Sequence, residues 1–304
     1  MPYLRLLRPG QWIKNLFLFA GLVFGRELLH GPRVVEALLG FACFCLVSSG
    51  VYVLNDIRDR EDDRRHPVKR QRPLAAGQVS VGVAAGYALA LLVVGLGGAM
   101  ALDRGFFLAA GVYVVLQFLY THWLKHVVVL DVILIGTGFV LRAVAGAVLA
   151  HVAISPWLVL CTFTLCLFMG FSKRRCELNA LTNDSPGRHR RTLTEYTPEL
   201  LNHMTTLTAG IAVVSFMLYA TDKRTLEVFG TNYLLYTLPL VVYAIFRFAL
   251  LVEHGRVDGP TAVVLRDRPF QAAIVLWGGA ALLIVYRGRE LQGWLHAWAG
   301  SGES

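Results

Sequence analysis

Three aspartates lie close together in the segment NDIRDREDDRRHPVKRQRP, residues 55–73. Asp56, Asp59 and Asp63 are spaced i, i+3 and i+7, which puts their side chains within about 60° of one helix face. Three carboxylates on one face repel one another unless a cation lies among them. Mg²⁺ takes a few carboxylates together with the oxygens of a substrate phosphate. The spacing favours a Mg²⁺–diphosphate site, with Asn55 beside it as a further ligand; the alternative is a solvated helix end balanced by arginines.

A cluster of basic residues follows in the same segment and consists of Lys69, Arg70 and Arg72. Such side chains bind phosphate through charge-assisted hydrogen bonds. Cations are also common at the cytoplasmic ends of membrane helices, so each one taken singly fits either role. Together with the acids, they predict a site where a metal and cations share the phosphates of one substrate.

The elements that must position these residues are long and apolar. Of the 304 residues 56% are hydrophobic and 16% are charged, whereas about 25% are charged in a typical soluble domain. Apolar runs long enough to span a bilayer recur along the whole chain. We therefore predict a single all-α membrane domain over residues 1–304, with about nine transmembrane helices. The predicted spans are 13–29, 34–54, 81–102, 105–123, 127–150, 154–172, 204–221, 232–252 and 270–287.

Lysine and arginine are distributed unequally between the loops. If the N-terminus is cytoplasmic, the segments on that side carry 20 of the 29 Lys and Arg residues. This asymmetry predicts a cytoplasmic N-terminus, with cytoplasmic catalytic loops at about residues 55–80 and 173–203. The net charge of +9 is then mostly an orientation signal, and no nucleic acid is expected as a partner.

Further candidates lie at the cytoplasmic ends of the predicted spans. Lys14, at the mouth of the first span, either anchors the chain at the interface or reaches a phosphate. Tyr52 lies one turn before Asp56 and offers a hydroxyl group, although an interfacial tyrosine is ordinary. Tyr120 and Lys125 end the fourth span. All of these are candidate substrate-binding residues.

Two ionisable residues lie in the fifth predicted span. Arg142 follows Asp131 by eleven positions, so the two share a helix face about 16 Å apart along the axis. An ionisable residue inside a membrane is a functional hypothesis by default. Arg142 either receives a substrate phosphate within the bundle or pairs with an acid that the sequence does not reveal.

A second charged segment, KRRCE, follows the sixth predicted span. Lys173 and Glu177 are spaced i, i+4 and share a helix face, with Arg174 nearby. This segment either binds a phosphate or anchors the cytoplasmic side. Arg266, in VLRDRPFQ before the last span, either closes over the phosphates or is an ordinary loop charge.

The pattern N-D-x-x-D-x-x-x-D after the second span, followed by R-P-L-x-x-G, resembles the UbiA-type intramembrane prenyltransferase superfamily. The layout of nine spans resembles it as well, so the likeness covers nearly the whole chain. It implies a UbiA-like bundle with a cytoplasm-facing site, in which Asp56, Asp59 and Asp63 bind Mg²⁺ and a donor diphosphate. It also implies that Tyr120 and Lys125 help to hold that diphosphate.

The superfamily usually carries a second aspartate-rich motif where this chain has Lys173, Arg174 and Glu177. Cations in that place suit a donor with one diphosphate and a separate phosphate, such as phosphoribosyl pyrophosphate. Five stretches in order resemble one branch, the bacterial decaprenyl-phosphate phosphoribosyltransferases. They are LRPGQWIKNLFLFAGLVFG, VYVLNDIRDREDDRRHPVKRQRPLAAG, LYTHWLKHVVVLDVILIGTGFVLRAVAGAV, GFSKRRCEL and VLRDRPFQ.

That resemblance implies transfer of 5-phosphoribosyl from phosphoribosyl pyrophosphate to a polyprenyl phosphate, with release of pyrophosphate, as a step towards cell-wall arabinan in the bacterial inner membrane. A homo-oligomer is compatible with the sequence, which does not fix the number of copies. The alternative in the same superfamily is an aromatic or quinone polyprenyltransferase, which predicts a second carboxylate triplet that is missing here. A transporter or lipid scaffold predicts polar residues at mid-membrane, whereas nearly all polar residues here crowd one interface.

Overall fold

The computed structural model describes residues 2–181, 193, 195–255 and 260–300, and within these residues every regular element is helical. The α-helices are α1 Pro2–Leu6, α2 Phe19–Phe24, α3 Gly31–Arg58, α4 Arg60–Arg65, α5 Val81–Leu102, α6 Arg104–His122, α7 Leu130–Leu149, α8 Pro156–Leu181, α9 Pro198–Thr221, α10 Lys223–Phe229, α11 Leu238–Glu253, α12 Pro260–Arg266 and α13 Arg268–Gly300. Short 3₁₀-helices occupy Pro9–Leu18, Lys69–Gln71, Leu124–His126 and Tyr233–Thr237.

Eight helices in the described part of the chain are long and apolar enough to cross a membrane. They are α3, α5, α6, α7, α8, α9, α11 with the 3₁₀ turn before it, and α13. A helix satisfies its own backbone hydrogen bonds, which lipid cannot do for it. The prediction of an all-α, multi-pass membrane protein is confirmed, and eight such helices come close to the predicted nine.

The first predicted span, residues 13–29, is not one long α-helix. A 3₁₀-helix, Pro9–Leu18, continues into α2, which ends at Phe24. With a rise of about 2.0 Å per residue in the 3₁₀ part and about 1.5 Å in the α part, these sixteen residues extend about 29 Å. That length approaches the hydrocarbon core of a bilayer, about 30 Å. The segment is long enough to span, in a different helical form.

The burial pattern gives the physical reason for the 3₁₀ form. Asn15 and Leu18 are buried and Trp12 is half-buried, whereas Ile13 and Leu16 are exposed. This pattern repeats every three residues, as side chains do in a 3₁₀-helix. An α-helix, with 3.6 residues per turn, would rotate these inward-facing positions away from one another.

Local capping fixes where several long helices begin. Ser80, Asp103, Thr197 and Asp267 each accept a hydrogen bond from the backbone N–H three residues ahead, at the starts of α5, α6, α9 and α13. Such side chains satisfy amide groups that have no partner within the helix. The observed start of α5 and its end at Leu102 match the predicted span 81–102.

Two predicted loops are partly helical. α8 continues to Leu181, so the predicted loop 173–203 begins as helix, and the predicted loop 55–80 contains the end of α3 and all of α4. In α8, Glu177 pairs with Lys173 and Arg174 at helical spacing, and such pairs stabilise a helix. Residues 182–192 and 194 of the second loop lie outside the described residues.

The chain divides into two compact units. The first comprises Met1–Ile154 and Pro186–Glu195, and the second comprises Ser155–Ser185 and Tyr196–Ser304. The core of the first unit contains Leu18, Phe44, Val47, Phe106, Tyr113 and Leu149. The core of the second contains Phe168, Cys176, Ile245, Phe248 and Val263. The prediction of one domain over residues 1–304 stays a prediction.

Close packing of α7 against the first 3₁₀-helix depends on Gly146. A Cβ atom at this position would overlap the carbonyl oxygen of Leu18, which is backbone and cannot move aside. Small residues let membrane helices approach this closely.

Replacing Gly146 with alanine is therefore expected to destabilise the first unit by about 1–3 kcal/mol, because the added methyl group overpacks a backbone contact. Gly111→Ala on α6 is the matched control, since a Cβ there meets nothing within 4 Å. The thermal midpoint of both variants in detergent would be measured by loss of the monodisperse chromatographic peak. Equal midpoints for the two variants would contradict the proposed packing.

Candidate active site

Asp56 lies in the last turn of α3 and is 2% exposed. The Arg8 guanidinium pairs with its Oδ1 atom, and Arg72 Nη1 donates to the same oxygen at 3.1 Å. Arg72 Nη1 also donates to Asp63 Oδ2 at 2.6 Å. A buried carboxylate is costly unless it is paired, so Asp56 ties the N-terminal segment and the loop after α4 to the end of α3.

Asp59 stands at the joint between α3 and α4, with φ −89° and ψ 6°. Its partners are Lys125 and the Asn55 side-chain amide, which donates to Asp59 Oδ2 at 3.1 Å. Asn55 Oδ1 in turn accepts a hydrogen bond from Thr121 Oγ1 at 3.2 Å. These contacts bring the end of α6 and the 3₁₀ turn after it to the aspartate motif.

The predicted single stripe of three aspartates is therefore divided. Asp56 and Asp63 share Arg72, whereas Asp59 has other partners, because the helix breaks at Asp59. Within the described residues, no three acidic, histidine or cysteine side chains are grouped so that together they could hold a metal ion. Asp56 and Asp63 thus share the Arg72 guanidinium, whereas Asp59 pairs with the Lys125 ammonium group.

We call these six residues the aspartate cluster: Asp56, Asp59, Asp63, Arg8, Arg72 and Lys125. Its three carboxylates and three cations balance in formal charge. Burial lowers the pKa of the Arg8 guanidinium below its ordinary value, and the charge of Asp56 opposes that shift. Because each charge is matched by an opposite one, the cluster is stable while it is largely shielded from water.

Sequence reasoning missed Arg8. Its backbone is in the left-handed region, with φ 50°, which is uncommon for a residue with a side chain and is a form of strain found at functional sites. The guanidinium carbon lies 5.5 Å from the ring centre of Tyr52. Arg8, Gly10, Gln11 and Arg72 line a cavity of about 270 Å³. The available signal was an arginine directly before Pro-Gly at the start of the first apolar segment.

Thr121 was also missed, since a threonine within YTHWLK carries no signal of its own. Tyr120, beside it, is half-buried at the end of α6. Lys69 and Arg70 are exposed, and their side chains have no hydrogen-bond or ion-pair partner in the described part of the chain. Lys14 is half-buried on the first 3₁₀-helix. Of these predicted cations, none contacts the aspartate cluster.

Arg142 is 3% exposed within the first unit. It donates to Asn15 Oδ1, the Tyr113 hydroxyl and the Gly138 carbonyl, each at 2.8 Å. Three aromatic rings, those of Phe44, Tyr113 and Phe139, surround the guanidinium with centres 4.6–5.6 Å away. The sequence left open that Arg142 pairs with an acidic residue, but no acidic partner of Arg142 is found among the described residues. The guanidinium is held by neutral groups, and its predicted contact with substrate stays a prediction.

The Arg142 network continues towards the cluster. Asn15 Nδ2 donates to Ser48 Oγ at 3.1 Å, and Trp12 Nε1 donates to Ser49 Oγ at 3.0 Å. Ser49 Oγ donates to the Leu7 carbonyl at 2.8 Å, directly before Arg8. The first 3₁₀-helix is thus fastened to α3 along its length. Asp131, the other predicted residue on α7, is fully buried in the first turn of that helix.

The second unit contains the remaining predicted residues. Arg174 is buried and pairs with Glu177, and Lys173 Nζ lies 3.8 Å from Glu177, so the predicted i, i+4 contact is confirmed. Arg266 is exposed at the end of α12. The neighbouring Asp267 accepts two hydrogen bonds from Arg247, at 3.1 and 2.8 Å, and these hold its pKa below the ordinary value.

The carboxylates of the cluster have the chemistry to hold a divalent cation. Arg72 Nη1 already places positive charge between one oxygen of Asp56 and one of Asp63. Hard carboxylate oxygens are the ligands that Mg²⁺ prefers, usually one or two of them with substrate phosphates completing the shell. Asp56 and Asp63 fit that requirement without a third carboxylate, and Asp59 and Asn55 lie next to them along the chain.

The fold and site together define an intramembrane all-α protein with paired acids and bases at the end of α3. The model of the UbiA prenyltransferase family matches residues 16–275, and the chain belongs to this family.

Two curated relatives are decaprenyl-phosphate phosphoribosyltransferases. That of Corynebacterium glutamicum is 36% identical over 289 residues, 93% of this chain and 86% of its own length. That of Mycolicibacterium smegmatis is 33% identical over 293 residues, 93% of this chain and 92% of its own length. A solved UbiA homologue of Archaeoglobus fulgidus, bound to GPP and Mg²⁺, shares the fold, with a TM-score of 0.70, 22% identity, and coverage of 94% of this chain and 99% of that one. The predicted family is confirmed.

Replacing Arg142 with lysine is expected to lower the free energy of unfolding by about 1.5–3 kcal/mol, because an ammonium group cannot make the three directed hydrogen bonds of the guanidinium. Arg104→Lys is the matched control, since Arg104 is exposed at the start of α6. Thermal midpoints in detergent would be compared for both variants. An unchanged midpoint for Arg142→Lys would show that the network is not structural.

Proposed function

We propose that this chain is a decaprenyl-phosphate phosphoribosyltransferase. It transfers 5-phosphoribosyl from phosphoribosyl pyrophosphate to decaprenyl phosphate and releases pyrophosphate. Both curated relatives described above carry that name. The observation that carries the proposal is the aspartate cluster, because its carboxylates suit a divalent cation and its cations suit the phosphates of a donor.

The two sets of charges have separate roles in this proposal. Asp56 and Asp63 hold the divalent cation, which we take to be Mg²⁺, and Asp59 with Asn55 completes that side of the site. Lys125 then turns from its carboxylate to the donor phosphates, and Arg8 and Arg72 turn to the phosphates that meet beside Asp56. Lys69 and Arg70, exposed on the same loop, are further phosphate ligands.

The remaining predicted residues have supporting roles in the proposal. Tyr52 stacks under Arg8 and orients it, and Tyr120 and Lys14 contact substrate. In the second unit, Lys173, Arg174 and Arg266 are further substrate-binding residues, and Glu177 positions Lys173 and Arg174 through its ion pairs. Asp131 and Arg142 keep α7 and the first 3₁₀-helix in position.

The reaction needs little acid–base chemistry from the protein. The nucleophile is an oxygen of the lipid phosphate, which is already anionic at neutral pH. It attacks C1 of the ribose as the bond from C1 to the diphosphate oxygen breaks, and the electron pair leaves with pyrophosphate. A divalent cation at Asp56 and Asp63 supplies charge neutralisation of that leaving group. The cations of the cluster, fixed in advance, stabilise the same developing charge.

The membrane arrangement suits these two substrates. We propose that the N-terminus and the aspartate cluster face the cytoplasm of a bacterium, in the inner membrane, because lysine and arginine concentrate on that side. A soluble sugar phosphate then meets a lipid phosphate at the interface. The product is polyprenyl-phosphoryl 5-phosphoribose, which we propose is a precursor of cell-wall arabinan.

The purified protein in detergent is expected to move label from radiolabelled phosphoribosyl pyrophosphate to decaprenyl phosphate when Mg²⁺ is present. Asp59→Ala and Lys173→Ala should each lose about 10²-fold or more in rate, because the first removes a carboxylate from the metal side of the site and the second removes a cation that stabilises phosphate charge. Label in the organic phase measures the product. No transfer, with turnover of a prenyl diphosphate onto an aromatic acid instead, would replace this function with the quinone-type activity.

Arg8→Gln should lower kcat by about 10²-fold, because one preorganised hydrogen-bond donor to the phosphates beside Asp56 is lost. Arg5→Gln is the matched control. Arg5 is an exposed arginine on α1, three residues away, and its side chain has no hydrogen-bond or ion-pair partner in the described part of the chain. Initial rates at saturating substrates would be compared. If both variants behave alike, Arg8 has no part in the reaction.

Removal of divalent metal with EDTA should abolish transfer, and added Mg²⁺ should restore it. Asp63→Asn should raise the Mg²⁺ concentration needed for half-maximal rate, because one anionic ligand becomes neutral. Asp62→Asn, on the exposed neighbouring acid, is the control. Full activity after exhaustive chelation would exclude the metal role of the cluster.

A further inference from the structure

The first 3₁₀-helix presents an apolar row on its outer side. Gly10, Ile13 and Leu16 follow one another at intervals of three, and side chains at this spacing eclipse along a 3₁₀-helix. Ile13 is 53% exposed and Leu16 is 51% exposed. We call these three residues the outer row. Trp12, Asn15 and Leu18, on the opposite side of the same helix, pack against the protein. The outer row is therefore the side of the helix that stays exposed.

The outer row begins at a cationic cavity. Gly10 lines the cavity of about 270 Å³ together with Arg8, Gln11 and Arg72. A Cβ atom on Gly10 would meet nothing within 4 Å, so open space adjoins the backbone where the row meets the cavity. With about 2.0 Å of rise per residue, the row extends about 12 Å away from the cavity.

We propose that the outer row and this cavity bind the lipid acceptor, a polyprenyl phosphate. Its isoprenoid chain lies along Ile13 and Leu16, and its phosphate enters the cavity between Arg8 and Arg72. This inference rests on the proposed function and adds to it the location of the acceptor.

The combination of an apolar row with a cationic cavity favours polyprenyl phosphate over phosphoribosyl pyrophosphate at this place. Phosphoribosyl pyrophosphate carries phosphates at both ends of a polar sugar, so an apolar row contributes nothing to its binding. An amphiphile with one phosphate on an apolar chain uses the guanidiniums and the row together.

The position of Arg8 and Arg72 also meets the needs of the reaction. Both contact Oδ1 of Asp56, so a phosphate between them lies beside the carboxylate assigned to the donor's metal. The acceptor oxygen and the donor diphosphate then approach the same point from two sides of Asp56. Reacting groups must be held together in this way for attack at C1.

The plain alternative is that Ile13 and Leu16 merely face membrane lipid. Leu89 and Val93 on α5 provide the comparison, since they are 64% and 62% exposed, lie four residues apart on one helix face and do not line the cavity of Arg8 and Arg72. If Ile13 and Leu16 only face membrane lipid, substitution of that pair and substitution of Leu89 with Val93 should have the same effect on the binding of the acceptor.

The first test uses the unmodified protein. A short-chain polyprenyl phosphate that carries a terminal diazirine would be photolysed with the purified protein, and the labelled peptides identified by mass spectrometry. We expect label on residues 9–18, removed by excess decaprenyl phosphate but not by phosphate-free polyprenol, phosphatidic acid or phosphoribosyl pyrophosphate. Label spread equally over α5, or displacement by phosphatidic acid, would overturn the inference.

The second test is kinetic. Ile13→Gln combined with Leu16→Gln should raise KM for decaprenyl phosphate by about tenfold or more, because apolar contact with the chain is lost, while KM for phosphoribosyl pyrophosphate stays unchanged. The pair Leu89→Gln with Val93→Gln should change neither. A rise in KM for the donor alone would overturn the acceptor site and leave the proposed function intact. Specific labelling of residues 9–18 without any transfer activity would overturn the function and keep the lipid site.

Discussion

The ion pairs of Asp56 are the constraint on which the first unit depends. A carboxylate this deeply buried would be strongly unfavourable alone, and two guanidiniums compensate for it from different parts of the chain. Arg8 comes from before the first apolar segment and Arg72 from beyond α4. Both flanking segments must therefore fold back onto the end of α3, and their return builds the cavity beside the aspartates.

A chain of polar groups holds the N-terminal segment in the place that Arg8 requires. It passes from the Leu7 carbonyl through Ser49 and Trp12, and from Ser48 through Asn15 to Arg142. Such groups are expensive in a membrane unless they bond one another. These polar groups bond one another only while Pro9–Leu18 stays a 3₁₀-helix, in which the inward-facing positions recur every three residues. The buried arginine thus connects to the site through the form of the first helix, without a contact to the aspartates.

The sequence was sufficient for features that depend on local pattern. Apolar runs located the long helices, because lipid permits little else. The spacing of Asp56, Asp59 and Asp63 drew attention to the end of α3, while their role as metal ligands stays a prediction. The sequence could not supply features that depend on distant partners. Arg8 lies 48 positions from Asp56, and Thr121 lies 66 positions from Asn55, so no periodicity joins them. The helix break at Asp59 also escaped prediction, because nothing in REDD forbids a continuous helix, and it is this break that directs Asp59 to Lys125.

Charge balance in the aspartate cluster has a consequence for how ligands bind. With three acids matched by three bases, a phosphate alone must compete with carboxylates for each guanidinium, and a metal alone must displace a base from each carboxylate. If both arrive together, every group exchanges one partner for another of the same sign. Carboxylates move from guanidinium to metal, and guanidiniums from carboxylate to phosphate, with little change in net charge in a region of low dielectric. Joint binding is therefore favoured over either ligand singly. Under the proposed function, such a site would hold its bases in place before the donor arrives and release them only to a metal–phosphate complex that replaces what they leave.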